Sequence, residues 1–326
     1  ANCHVRAGSV RAFSHVGGLV GRNDAGTISN CTVSALVQGN SRVGGLAGQS
    51  YFGVIERCRT EAEVLASLSS YWIGGLVGEV REATVRECRA CGPVSGDTCV
   101  GGLVGENYTG AVERSGAAGA VSGGTYVGGV LGLNSGGVVE DCYATAPVRA
   151  TTCAGGLVGC NGPSCHCAIY QAGVVSCSYA AGPVSGAGSG GLIGMDDRGE
   201  VYNCFWDIKA SGCTASAGGD GKGASQMATA AIYLAAGWDF IDEKANGMQE
   251  IWFMSAARGG PRLVWELADG DFNSDTQVDF RDFGRLAARW RRADAGERSG
   301  GDGVVPDGIV DFDDLSRFAD VWLVSR

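Results

Sequence analysis

The chain of 326 residues predicts a mainly β fold: a parallel β-solenoid of about seven coils, then a capping segment, then a small all-α module. Three observations carry this. A glycine-pair motif recurs in phase, short apolar runs flank every copy, and the last sixty residues contain a duplicated acidic loop followed by helix-compatible sequence.

The motif Val16-Gly17-Gly18-Leu19-Val20-Gly21 returns with its first glycine at Gly44, Gly74, Gly101, Gly128, Gly155 and Gly190, and five of these steps are 27 or 30 residues. Repetition at that period is the mark of a solenoid, in which each coil buries its apolar face only against its neighbours. A cysteine phase runs through Cys3, Cys31, Cys58, Cys88, Cys142, Cys177 and Cys204, with Ser115 in the one exception. An aliphatic residue precedes it by three at Ile28, Ile55, Val85, Val112, Val139, Val174 and Val201. A valine follows six or seven residues later at Val10, Val37, Val64, Val94, Val121, Val148 and Val184. Short β-branched runs bounded by Gly, Asn and Ser read as strands, three per coil. Strands stacked about 4.8 Å apart would make a rod of about 34 Å. Glycine is expected at the corners, where positive φ costs it nothing.

The in-phase G-G-L-V-G copies resemble the GLUG-motif repeat family over residues 1–205. The resemblance implies a large secreted or cell-surface bacterial protein, adhesin-like in some members, and brings no catalytic residue. Composition is compatible with this. A net charge of −10 leaves no basic patch for nucleic acid, and no apolar run reaches the length that spans a bilayer.

The cysteine phase reads as a column of small buried side chains rather than as a disulfide framework. Cys99 and Cys153, with Tyr126 between them in phase, read as a second packing column. The sixth repeat carries an insertion holding Cys160, Cys165, His166 and Cys167. A local disulfide of Cys160 with Cys165 or Cys167 is the expected arrangement, and zinc is the sharper alternative.

Candidate acids for glycoside hydrolysis are Glu56, Glu87, Glu113, Glu140 and Asp141, but Arg57, Arg86 and Arg114 share their two columns. That pattern is expected of a solvated sheet face with opposite charges interleaved. Asp196-Asp197 reads as a turn, and Gly218–Gly223 as a flexible turn rather than a phosphate loop. With histidines only at 4, 15 and 166, no catalytic residue is assigned. The expected function is a non-catalytic scaffold or adhesin-like repeat protein. The alternatives are a carbohydrate-active β-helix enzyme and a glycan-binding rod, the latter signalled by exposed aromatics in a column.

Residues 206–266 lose the repeat and carry Trp206, Trp238, Trp252 and Trp265. Bulky aromatics suit a segment that covers the open strand edges of the last coil.

Residues 267–326 hold the duplication. Asp271, Asn273, Asp275, Gln277, Asp279 and Asp282 fall at positions 1, 3, 5, 7, 9 and 12 of a loop, Gln277 through its carbonyl. This is the oxygen-ligand spacing that calcium requires. In the second copy Asp307, Asp311 and Asp314 fit positions 5, 9 and 12 with Ile309 at the carbonyl position, whereas Asp302 is one residue out of place. One good calcium site and one weakened or empty one are therefore expected. Aspartate at position 12 followed by a helix resembles the type I dockerin. The resemblance implies a cohesin-like or cell-surface protein partner, although Phe280-Arg281 and Phe312-Asp313 stand where small hydroxylic contact residues are usual.

Overall fold

The computed structural model describes residues 2–163, 172–241, 243, 245–255 and 260–267. The chain divides into two compact units, Ala1–Ala224 and Ser225–Arg326.

The first unit is a solenoid of three parallel sheets. The strand that follows each glycine pair, from Val20–Asp24 to Ile193–Asp196, contributes to a seven-stranded sheet, and the short strands from Thr27–Ser29 to Glu200–Tyr202 form another. The rest of every coil enters a third, larger sheet, unbroken in Thr32–Gly44 and divided into Arg89–Ala90, Val94–Ser95 and Thr98–Gly101 two coils later. The predicted phase is the observed register: Gly17, Gly44, Gly74, Gly101, Gly128, Gly155 and Gly190 pair in sequence, and so do Val10, Val37, Val64, Val94, Val121, Val148 and Val184. Leu46, Leu76, Leu103, Val130, Leu157 and Leu192 fill the interior, and Val130-Leu131, which reverses the Leu-Val order of the motif, is buried at both positions.

The glycines do a different job from the one expected. A Cβ on Gly44 would lie 2.1 Å from the Ala47 carbonyl oxygen, and one on Gly45 2.2 Å from that of Gly75, so the pair is required because backbones meet there. Most corners belong to other residues, with Gly136 at φ 71° a glycine that does occupy one. In three corner columns His15, Arg42 and Trp72, Phe52 and Glu82, and Arg57 and Glu87 hold φ between 48° and 61°. Left-handed backbone disfavours a side chain by about 1–2 kcal/mol per residue. The corner columns of Phe52 and Arg57 are nevertheless held by the next coil, as when Phe52 N donates to Arg81 O, Glu82 N to Tyr108 O and Arg57 N to Arg86 O.

The cysteine phase also needs one correction. Val139 pairs with Val175, not Val174, so Ser178 and not Cys177 stands in the ladder after Cys142. Cys177 occupies the preceding left-handed corner, with φ of 45°. In the first coil a strand irregularity between Arg6 and Ser9 accounts for the seven-residue offset from Cys3 to Val10.

Past Cys204 the third sheet continues through Phe205–Asp207 and Asp220–Lys222, which pair with each other. The stretch at Gly218–Gly223 is thus partly a strand rather than a flexible turn. Trp206 lies over Gly191, where a Cβ would meet its Cδ1 at 2.1 Å, and its indole Nε1 donates to Cys213 O at 3.3 Å. A single turn, Ile208–Ser211, is capped by the Asp207 carboxylate.

The second unit has its own core. Trp238 and Trp252, both fully buried, pack at 4.7 Å between centroids beside Tyr233 and Phe240. Trp252–Ser255 pairs antiparallel with Gly260–Leu263, and the Asp239 carboxylate accepts from Gln249 N and Glu250 N.

Candidate functional site

Two columns of the solenoid face one another and enclose a second, smaller interior. One lies in the first sheet at the residue after the last motif glycine: Arg22, Gln49, Glu79, Glu106, Leu133, Cys160 and Met195, in register from coil to coil. The other is the left-handed corner before the glycine pair: His15, Arg42, Trp72, Cys99 and Tyr126. Toward the later coils the enclosed space is apolar, with Cys99, Leu133 and Cys160 packed against Trp72, Tyr126 and Met195. Toward the earlier coils it holds charge.

Glu79 and Glu106 are neighbours in register and each is only 2% exposed. Glu79 accepts from Arg42 Nε at 2.5 Å and from Gln49 Nε2 at 2.8 Å, and Arg81 Nη1 stands 4.0 Å from its other oxygen. The Arg42 guanidinium lies over the Trp72 ring at 4.2 Å. Glu106 is supported far less, because its buried Oε1 has no hydrogen-bond partner among the described residues. Burial first, and the Glu79 charge second, push the Glu106 carboxyl up to about 8, against the opposing pull of Arg42, Arg81 and the Trp72 indole. Burial and the charges of Arg42 and Arg22 lower the His15 imidazole at the end of the same cluster.

A carboxylate paired with a guanidinium beside a carboxyl that stays protonated at neutral pH is the split that acid–base chemistry uses. Here it lies inside the packing, so the network can take up or release a proton but offers a substrate no face. No sequence motif singles out the Glu79 and Glu106 pair. Its signal was Glu following G-L-V-G in two successive repeats, in a column that turns apolar from Leu133 onward.

The acids singled out from sequence lie elsewhere, on the second sheet and its corner. Glu56 pairs with Arg86 at 2.5 Å, and Glu87 with Arg57 at 2.8 Å and Arg114 at 3.9 Å. These contacts interleave the charges as expected, and the hydrogen bonds that Arg57 and Arg86 donate to the Glu87 and Glu56 carboxylates raise the two guanidinium groups. Glu140 accepts from Ser176 at 3.4 Å. Asp196 ends a ladder of buried amides that runs from Asn107 through Asn134 and Asn161, and accepts from Asn161 Nδ2 at 3.0 Å.

The cysteine ladder is a hydrogen-bonded column. Cys58 N donates to Cys88 Sγ at 3.4 Å, Cys88 N to Ser115 Oγ at 3.0 Å and Cys142 N to Ser178 Oγ at 2.9 Å. Each of these side chains donates in turn to a carbonyl two residues back, which explains why cysteine and serine alternate freely there. Burial pushes the Cys88, Cys142 and Cys204 thiols up, and Cys177 up to about 12. Cys160 is buried in the small apolar cluster, whereas Cys165, His166 and Cys167 lie outside the described residues. The same is true of both loops whose spacing predicts calcium binding, from Asp271 to Asp282 and from Asp302 to Asp314.

With this geometry in place, comparison with known proteins adds one match. The model of the GLUG motif fits residues 14–37 and 123–148, stretches that hold the first and fifth glycine pairs. A search of curated proteins finds none that matches this chain.

Proposed function

We propose that this GLUG-repeat solenoid is a non-catalytic, secreted or cell-surface rod, scaffold or adhesin-like, that offers its sheet faces to a partner. In the same reading its C-terminal segment is a calcium-binding, dockerin-like module that attaches it to a cohesin-like or cell-surface protein.

The observation that carries the first part is the pairing of carboxylates. On the second sheet Glu56 and Glu87 are tied to arginines one coil away, and on the first the Arg42 and Gln49 side chains hold Glu79. A glycosidase needs two carboxyl groups facing a sugar between them. These groups face arginine, and their energy goes into register. The second part is supported by the spacing of Asp271, Asn273, Asp275, Asp279 and Asp282, which matches the alternation by which a tight loop points oxygens at one hard cation.

A second reading, a carbohydrate-active enzyme delivered by the same module, draws support from the raised Glu106 carboxyl, a neighbour in register of Glu79. Incubating the full chain with a panel of plant and microbial polysaccharides and measuring new reducing ends separates the two. The rod reading expects none.

A further inference from the structure

We infer that the groove along the corner between the first and second sheets binds a neutral polysaccharide, an inference that rests on the rod reading above and names its ligand class. The groove has a volume of about 740 Å³ and runs from Phe52 past Arg81, Glu82 and Tyr108 to Val138. It therefore crosses four successive coils, about 14 Å at 4.8 Å per strand. One coil is close to the advance of one pyranose unit in an extended chain.

Its chemistry is that of a sugar platform. Tyr51, Arg81 and Tyr108 occupy one register position in consecutive coils, and the Arg81 guanidinium lies 4.6 Å from the Tyr108 ring centroid and 6.0 Å from that of Tyr51. This holds the guanidinium flat while its buried Nε–H has no hydrogen-bond partner among the described residues. Phe52, braced against Tyr51 at 4.2 Å, is 53% exposed and presents an aromatic face at one end. Glu82 lies exposed beside Arg81. Hydroxyl groups of a pyranose can accept from Arg81 and donate to Glu82 while the apolar ring face covers Phe52.

Charge and backbone argue for this ligand over others. Arg81 and Glu82 cancel, in a chain whose net charge of −10 repels polyanions, so a uronate polymer is disfavoured. An extended peptide would seek free backbone donors. The groove's own amides are taken: Glu82 N by Tyr108 O, Thr84 N by Gly53 O, Thr109 N by Ser135 O and Ala111 N by Ala83 O.

The test is affinity electrophoresis of the full chain in gels containing a soluble β-1,4-glucan, a β-1,3-glucan, galactomannan, arabinoxylan or polygalacturonate. At least one neutral polymer should retard the wild type. Phe52→Ala and Glu82→Gln should each weaken that binding by tenfold or more, while Phe13→Ala, at an exposed phenylalanine outside the groove, should leave it unchanged. Absence of retardation by every neutral polymer, stronger retardation by polygalacturonate, or retardation that survives both groove variants overturns the inference. None of those results touches the rod reading. Shortening of a retarding polymer would overturn the rod reading and leave the binding groove standing.

Discussion

The backbone N–H of Cys142 donates to the hydroxyl of Ser178, one coil further on, at 2.9 Å, and that hydroxyl donates to the Ser176 carbonyl at 2.7 Å. One small side chain thus serves two backbone groups at a corner where the sheet ladder changes direction. Ser178→Ala strands a buried amide, which costs about 1–3 kcal/mol. Cys142→Ser keeps both hydrogen bonds and should change stability by less than about 1 kcal/mol. Cys177→Ser, in the corner column, should match wild type. Calorimetric unfolding of the three variants checks the order, and a Cys177 variant more damaging than Ser178→Ala would reject the ladder assignment.

Much of this was legible in sequence because it repeats. Seven glycine pairs and a valine at constant distance specified coil length and register without reference to tertiary structure. The errors came where one coil departs from the others. The constant spacing points to Val174 as the core aliphatic before Cys177, although the offset of seven from Cys177 to Val184, against six in most coils, marks a shift by one. Intrinsic preference points to glycine at the corners, yet hydrogen bonds to the next coil hold Phe52, Arg57 and Glu87 in the left-handed region. Glu79 and Glu106 escaped notice because their meaning depends on which column faces theirs. No local pattern states that Arg42 and Trp72 lie opposite.

Gly75→Ala tests the role given to the pair. Its Cβ would fall 2.1 Å from the Gly102 carbonyl oxygen, a backbone atom that cannot swing aside. Overpacking in a closed core costs about 1–3 kcal/mol and more where backbone must move. The variant should lose at least about 3 kcal/mol of stability in denaturant unfolding. Gly260→Ala, where a new Cβ meets nothing within 4 Å, should be close to neutral.

Calcium should bind the full chain through the loop at Asp271. Calorimetric titration is expected to show one saturable site, abolished by Asp271→Ala or Asp282→Ala and weakened little by Asp302→Ala, because Asp302 sits one residue out of position. Equal loss with Asp302→Ala would mean that the second loop is the better site.

The most direct test of the central claim is to follow Glu106 through pH and catalysis together. In the folded chain its carboxyl is held up to about 8 from an ordinary 4.5, chiefly by burial and then by the Glu79 charge. The native state therefore keeps a proton that the unfolded chain releases above about pH 4.5. This contribution is fully present below that pH and is lost as the pH rises toward 8. At about 1.4 kcal/mol per pH unit the loss approaches about 5 kcal/mol as an upper bound. Wild type should melt at progressively lower temperature from pH 5 to 8, Glu106→Gln should remove most of that slope, and neither protein should release reducing ends from any polysaccharide. Release by the wild type that disappears in a folded Glu106→Gln would contradict the account, and would make the buried pair a catalytic one.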